Sequence, residues 1–195
     1  SRRVMDEDGQ WHDIKVGVIG FTPPQIMSWD KGHLDGKLTV RGIVETAEKF
    51  VPIMREEGAD IVIAIPHSGI AESHPAGLKE NATAELAMVE GIDAILFGHA
   101  HTVFPSEAYA EFPGVDLEKG TLHGVPSVMP GFWGSHLGII DLTLSSDGEG
   151  WCVSDSAVEN RPIFRREGRK RIPIVGSQQD IIDAVKDEHE GTIAW

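Results

Sequence analysis

Cysteine is almost absent from this chain: Cys152 is the single one among 195 residues. That excludes an internal disulfide and any thiolate metal cluster, and it leaves the redox compartment unspecified. Positive charge is scarce as well. The 17 Lys and Arg face 31 Asp and Glu, for a formal charge of −14. Such a surplus repels a phosphate backbone and argues against a binder of nucleic-acid polymers. No apolar stretch reaches membrane-spanning length, so no membrane span is expected, and there is no internal repeat or low-complexity tract. No signal peptide precedes Ser1, the first residue is not methionine, and the chain stops at Trp195 just after a helical pattern. We therefore expect a trimmed piece of a longer protein.

What is present has ordinary globular composition, 41% hydrophobic and 25% charged, with 22 glycines for tight turns. One domain, or a large part of one, with a proper core is expected. An anionic substrate would need local positive charge in so acidic a protein, and metal ions are the obvious source.

Two stretches point to where such ions would sit. Asp93-Ala94-Ile95-Leu96-Phe97-Gly98-His99-Ala100-His101 is a short apolar run ending in a glycine and two histidines. Ile61-Val62-Ile63-Ala64-Ile65-Pro66-His67-Ser68-Gly69 has the same layout. Runs that are apolar throughout suit parallel strands covered on both faces, and ligands gather at the carboxyl ends of such strands. His67, His99 and His101 are thus candidates to meet at one rim of one sheet. Gly98 lets the backbone pass closely, and an extended turn would put the rings of His99 and His101 on one side. Neutral imidazoles suit Zn²⁺, Mn²⁺, Fe²⁺ or Co²⁺. His12, His33, His74, His123 and His189 read as structural, capping or surface residues.

The surrounding elements follow βαβαβ grammar. A turn at Asp6-Glu7-Asp8-Gly9 leads into a strand from Ile14 to Phe21. Thr22 to Asp30 reads as a loop because of Pro23 and Pro24, with Ile26 and Met27 as an apolar plug; Trp29 and Asp30 stay open between packing and binding. Val40, Ile43, Val44, Ala47, Val51 and Met54 have helical spacing, with Thr39 as N-cap, Gly58 as stop and Pro52 as a kink. A second helix is expected from about Leu78 to Val89, and loop from Phe104 to Gly124. The grammar then turns antiparallel, with strands over Val125 to Val128, Leu137 to Leu144 and Trp151 to Val158, the last two joined at Asp147-Gly148. Arg161 to Arg171 reads as a basic solvated connector. Ser177 and Asp180 resemble a capping box opening a helix through about Glu190, a bridge to something beyond Trp195.

Gly98-His99-Ala100-His101 resembles the terminal Gly-His-x-His motif of the calcineurin-like metallophosphoesterases, and Pro66-His67-Ser68-Gly69 resembles the histidine motif that precedes it. The stretches Gly20 to Asp30, Asp93 to His101 and Val128 to Gly138 are similar to the 5′-nucleotidase group of that superfamily. Within it they look like the bacterial periplasmic enzymes acting on 2′,3′-cyclic nucleotides and 3′-nucleotides. The resemblance implies an α/β fold, half of a metallophosphoesterase sandwich, with residues 1–160 as a partial metallophosphoesterase domain. Residues 161–195 would be a connector and bridging helix toward an absent carboxyl-terminal nucleotide-binding domain. It also implies two divalent ions in the intact enzyme that polarise the phosphorus for in-line attack. His67 and His99 would bind one ion and His101 the other.

The family pattern also begins with Asp-x-His, then Gly-Asp, then Gly-Asn-His, and none of these stands here in working context. Asp187-Glu188-His189 falls in the predicted terminal helix, and neither Asn81 nor Asn160 follows a glycine or precedes a histidine. The resemblance therefore implies that catalytic residues lie upstream, that this piece alone is inactive, and that it holds at most one weakly bound ion. The missing amino-terminal half would be its partner, with self-association expected in its absence. Trp133 and His136 are weighed as supporting residues and not as ligands. The same motifs serve enzymes acting on 5′-nucleotides or nucleotide sugars, and a non-catalytic metal-binding module would keep the histidines too.

Overall fold

A computed structural model of the chain describes residues 1–71, 78–146, 148 and 150–195. His74 and Asp147, both assigned above, lie outside the described residues. The chain forms two compact units, Ser1–Arg161 and Pro162–Trp195.

The first unit opens with an antiparallel hairpin of β1 (Arg2–Met5) and β2 (Trp11–Ile14). It closes at the expected turn, where the Asp6 carboxylate accepts the Gln10 N–H at 2.7 Å. Strand β3 (Val16–Phe21) follows. Pro23 and Pro24 were expected to exclude a regular element, yet they open the first turn of α1 (Ile26–Trp29). Their carbonyls accept the N–H groups of Ile26 and Met27 at 3.0 and 3.2 Å. A proline there has no helical N–H to lose, so the ring is tolerated. A second short turn, α2 (Lys31–Leu34), continues the segment, and Ile26 and Met27 are half-buried.

Helix α3 (Ile43–Glu56) has Gly42, not Thr39, as its N-cap. Thr39 and Arg41 are exposed, and the helix begins at Ile43, where its apolar face reaches the sheet. Ile43, Ala47 and Val51 bury one stripe at helical spacing. Pro52 and Glu48 are both exposed, so the Glu48 carbonyl that Pro52 cannot pair faces water. Strand β4 (Ile61–Pro66) then runs parallel to β3, with Val18 opposite Ile63 and Gly20 opposite Ile65.

The expected second helix shrinks to α4 (Thr83–Leu86). Its first part is held instead by loop contacts: the Leu78 carbonyl accepts Gln25 Nε2–H at 2.8 Å, and Asn81 Oδ1 accepts the Gly69 N–H at 3.0 Å. Strand β5 (Ala94–Leu96) completes the second crossover. The Phe104 to Gly124 segment is not all loop. It contributes to β6 (Val103–Phe104) and carries β7 (Val115–Asp116) and β8 (Thr121–Leu122). These short antiparallel strands form around β9 (Val125–Pro130), through partners that no local period announces. The sheet order is β3-β4-β5-β9-β8-β7, parallel from β3 to β9 and antiparallel beyond. Strands β10 (His136–Ser146) and β11 (Trp151–Pro162) pair in a sheet of their own.

One sheet face packs against α3, and Ala47, Val51, Val62, Ala64 and Ile95 are fully buried there. The other face is partly open to water. By strand register Val18, Ile65 and Leu96 share that face, and they are 58%, 46% and 37% exposed. Val128 shares it too but is buried, since β10 crosses it so closely that a Cβ on Gly138 would lie 2.8 Å from Val128 Cγ2. A polar tie joins α3 to the strand starts: Arg55 donates to the Gly91 carbonyl at 2.8 Å and pairs with Asp93, whose Oδ2 also accepts the Val62 N–H at 2.6 Å.

The second unit contains the antiparallel hairpin β12 (Phe164–Glu167) and β13 (Lys170–Pro173), followed by α5 (Gln179–Ala194). The basic run expected as a connector is thus largely paired strand. Arg165 bonds Glu167, and the Arg171 guanidinium lies 4.9 Å above the Phe164 ring. Helix α5 has Gln178 as its N-cap, without a side-chain cap bond, and runs past Glu190, so the capping box does not form. No residue of α5 is buried. Among the described residues no helix is long and apolar enough to cross a membrane.

Candidate active site

The carboxyl ends of β4 and β5 deliver the histidines. His67 is the first residue past β4, and its N–H donates to the Phe21 carbonyl at 2.9 Å, which ties it to the end of β3. Behind it Ser68 is fully buried and does double duty. Its hydroxyl donates to the Glu80 carbonyl at 2.8 Å and accepts the Ala82 N–H at 2.8 Å. Thr83 Oγ1 donates to the Ser68 carbonyl at 2.8 Å, and the Thr83 N–H donates to the Gly69 carbonyl at 3.1 Å. A Cβ on Gly69 would meet Asn81 Oδ1 at 2.7 Å, so the two segments lie as close as a glycine allows. The segment from Glu80 to Thr83 is thereby locked to the end of β4.

Beyond β5 the pairing persists through the Phe97 N–H, which reaches the Val128 carbonyl at 3.0 Å. The following turn is tighter than the extended conformation expected for it. The Ala100 N–H donates to the Gly98 carbonyl at 2.9 Å, closing a three-residue turn on His99, whose φ is 71°. His101 also has positive φ, 55°. Left-handed backbone is uncommon for a side chain with a Cβ, and such strain concentrates at functional sites.

The rings then find different neighbours. His67 and His99 stand edge to face with centroids 5.0 Å apart. Trp29 stacks on His99 at 5.6 Å, which gives a contact to one of the two residues left open. His99 Nε2 lies 2.6 Å from Glu80 Oε1. The His101 ring stacks on Phe132 at 5.1 Å, and Phe132 in turn meets the exposed Trp133 edge to face. The structure therefore brings His67 and His99 together, while His101 sits among aromatic groups on the same turn. Glu80 was missed by sequence reading, and no local pattern marks it, because its place beside His99 depends on the Ser68 and Asn81 contacts.

The other described histidines have structural partners or face solvent. His12 bonds Asp6 at 2.7 Å, and His136 Nδ1 lies 2.9 Å from Ser135 Oγ. His33, His123 and His189 are exposed. Asn160 donates to the Phe104 carbonyl at 2.7 Å, a packing role.

Two converging imidazoles form a nitrogen donor pair of the kind that divalent ions of the first transition row accept. Among the described residues no three His, Cys, Asp or Glu side chains are arranged as a complete ligand set. The chemistry of the pair thus fits a metal, with further ligands needed to close the site.

No protein-family model matches the sequence. Individual relatives do. The chain is 48% identical over 189 residues to the 2′,3′-cyclic-nucleotide 2′-phosphodiesterase/3′-nucleotidase of Salmonella typhimurium, covering 97% of this chain and 29% of that protein. It is 47% identical over 189 residues to the protein of the same description from Yersinia enterocolitica, again with 97% and 29% coverage. Its fold superposes on the crystal structure of the calcineurin-like phosphoesterase YfkN from Bacillus subtilis with a TM-score of 0.89 and 40% identity, over 99% of this chain and 56% of that one. The chain shares the fold of the calcineurin-like phosphoesterases. Members of this family use divalent metals, which accords with the donor set at the rim. The chain spans under a third of the length of these curated relatives, 29% in each case. The calcineurin-like fold also accounts for the grammar of the sheet, parallel through β9 and antiparallel after it.

Proposed function

We propose that this chain is the metal-binding rim of a phosphoesterase that hydrolyses 2′,3′-cyclic nucleotides and 3′-nucleotides in the bacterial periplasm. One observation carries the reading: over 97% of its length the chain is 48% identical to an enzyme of that description, and the two histidines closing its central strands converge. His67 and His99 hold one divalent ion and His101 contributes to the other. Two ions, of manganese, zinc, iron or cobalt, supply the positive charge that neutralises and polarises a phosphoryl group. The chain's own residues orient that centre, and none of them is assigned as the proton donor or nucleophile.

Residues 1–160 are part of a metallophosphoesterase domain, and residues 161–195 connect it to a nucleotide-binding domain elsewhere in the protein. The partner of the exposed Val18, Ile65 and Leu96 face is the amino-terminal half of the metallophosphoesterase domain, which supplies the bridging carboxylate, the asparagine ligand and the catalytic histidine. A two-ion centre without that carboxylate is strongly self-repelling, so this chain alone binds at most one ion, weakly, and is inactive.

The test is hydrolysis of 2′,3′-cyclic AMP and 3′-AMP with Mn²⁺, by this chain alone and after refolding with the complementary half of the domain. No turnover alone and turnover after reassembly is the expected result. Turnover by the isolated chain overturns the division of the site, and a reassembled protein inactive on both substrates overturns the nucleotidase assignment.

A further inference from the structure

We propose that Glu80 is a positioning residue for His99. Its carboxylate accepts a hydrogen bond from the imidazole Nε2–H and leaves the ring's free lone pair on Nδ1. This deepens the function proposed above, resting on it only where His99 is taken as a metal ligand.

The inference starts from the 2.6 Å contact between His99 Nε2 and Glu80 Oε1. An ionised carboxylate only accepts hydrogen bonds, so Nε2 carries the proton. A neutral imidazole has one donor and one acceptor nitrogen, and fixing the donor fixes the other. Nδ1 becomes the nitrogen available to an ion.

The surroundings of Glu80 are built for such a task. Its backbone carbonyl accepts from the buried Ser68 hydroxyl at 2.8 Å, and the next residue, Asn81, accepts the Gly69 N–H at 3.0 Å. Both bonds run to the two residues that follow His67. The carboxylate that orients His99 is therefore anchored to the strand end that carries its partner histidine. On the other side, the Trp29 ring stacks on the His99 face at 5.6 Å, and the His67 ring meets it edge-on at 5.0 Å. The backbone of His99 is confined by its three-residue turn. With its ring face, edge and Nε2 engaged, the imidazole has one orientation and one tautomer.

A carboxylate behind a ligating histidine settles the tautomer and the aim of the ring, and its loss weakens metal binding about 10- to 100-fold. A surface carboxylate with no such role changes neither.

The experiment uses the full chain with histidine rings labelled with nitrogen-15. Wild type, Glu80→Gln and Glu80→Leu are compared, and His99 is identified by the signals lost in His99→Asn. In the metal-free protein, at a pH where the imidazoles are neutral, wild-type His99 should show the Nε2–H tautomer. Glu80→Gln, whose amide oxygen still accepts, should keep that pattern, and Glu80→Leu should lose it. Glu80 is 40% exposed, so neither change is expected to impair folding, which thermal melting checks. An Nδ1–H tautomer in wild type, or an unchanged pattern in Glu80→Leu, overturns the proposal.

Cobalt titration supplies the second readout. The Co²⁺ dissociation constant should rise roughly 10- to 100-fold in Glu80→Leu and stay within a few-fold of wild type in Glu80→Gln. Equal losses in both variants overturn positioning, since the carboxylate would then be binding the ion itself. A wild-type chain that takes up no Co²⁺ while showing the expected tautomer pattern overturns the metal reading of this chain and leaves the Glu80–His99 assignment standing.

Discussion

The imidazoles of His67 and His99 meet edge to face at 5.0 Å although they close different strands. The parallel pairing of β4 with β5 makes this possible, because Ile63 lies opposite Ala94 and both strands then end at the same rim. A group placed there by strand ends contributes little to the core. His99→Ala should lower stability by about 1 kcal/mol or less, as one hydrogen bond and partial stacking are lost. In the complete enzyme the metal role proposed for His99 predicts a fall in turnover of roughly a hundredfold. Melting and turnover measured on the same preparation check this, and a loss of folding that tracks the loss of activity would contradict the rim assignment.

Ser68 links the two histidine segments from inside. Replacing it by alanine leaves the Ala82 N–H without its acceptor in a buried position and frees the Glu80 carbonyl. The expected cost is about 2 kcal/mol, read as a shift of the denaturation midpoint. The same variant should loosen the His99–Glu80 contact, visible as broadened His99 ring signals.

Arg55 and Asp93 form the corresponding tie at the opposite ends of the strands. Asp93→Ala removes the acceptor of the Val62 N–H and the partner of a guanidinium that also holds the Gly91 carbonyl. A loss of about 2 to 3 kcal/mol is expected by chemical denaturation. Asp93→Asn, which keeps one acceptor, should cost less, and equal losses would show that the ion pair rather than the Val62 N–H contact carries the effect.

The face bearing Val18, Ile65 and Leu96 is apolar and open to water in this chain. Surfaces of this kind drive association. The isolated chain should self-associate and bind a hydrophobic dye, and Ile65→Lys should reduce both while leaving the melting temperature nearly unchanged. A strictly monomeric wild-type chain by light scattering, without dye binding, would remove the proposed docking of the missing half on that face.

At the first hairpin, the Asp6 carboxylate is hydrogen-bonded first by His12 and then by the Gln10 N–H, and these hold its pKa below the usual 3.8. A carboxylate depressed in the folded state stabilises the hairpin at pH values above its unfolded pKa, and that contribution is lost as the pH falls through the lower folded value. The Asp6 side-chain carbon, followed by NMR, should titrate below 3.8, and His12→Ala should move the midpoint back up. An unmoved midpoint would mean that the Gln10 contact alone is responsible.

Periodicity and punctuation made much of the framework legible. The apolar runs ending at His67 and His99 read as strands because they are short, apolar throughout and bounded by turn signals, and the stripe Ile43, Ala47, Val51 is a helix face because its spacing matches one turn. The two histidine motifs also pointed to the fold family. Pairing partners and loop contacts lay beyond reach. Strands β6 to β8 are too short to show a period and exist through their neighbours around β9, while the segment before α4 is diverted from helix by Ser68, Asn81 and Gln25. Glu80 reaches His99 only through those same contacts, and the separation of His101 toward Phe132 follows from two left-handed residues in one turn. Local pattern reports what a residue prefers within a few neighbours, which is enough to place histidines at strand ends; where their rings point is decided by hydrogen bonds to distant segments, and those form only once the sheet is assembled.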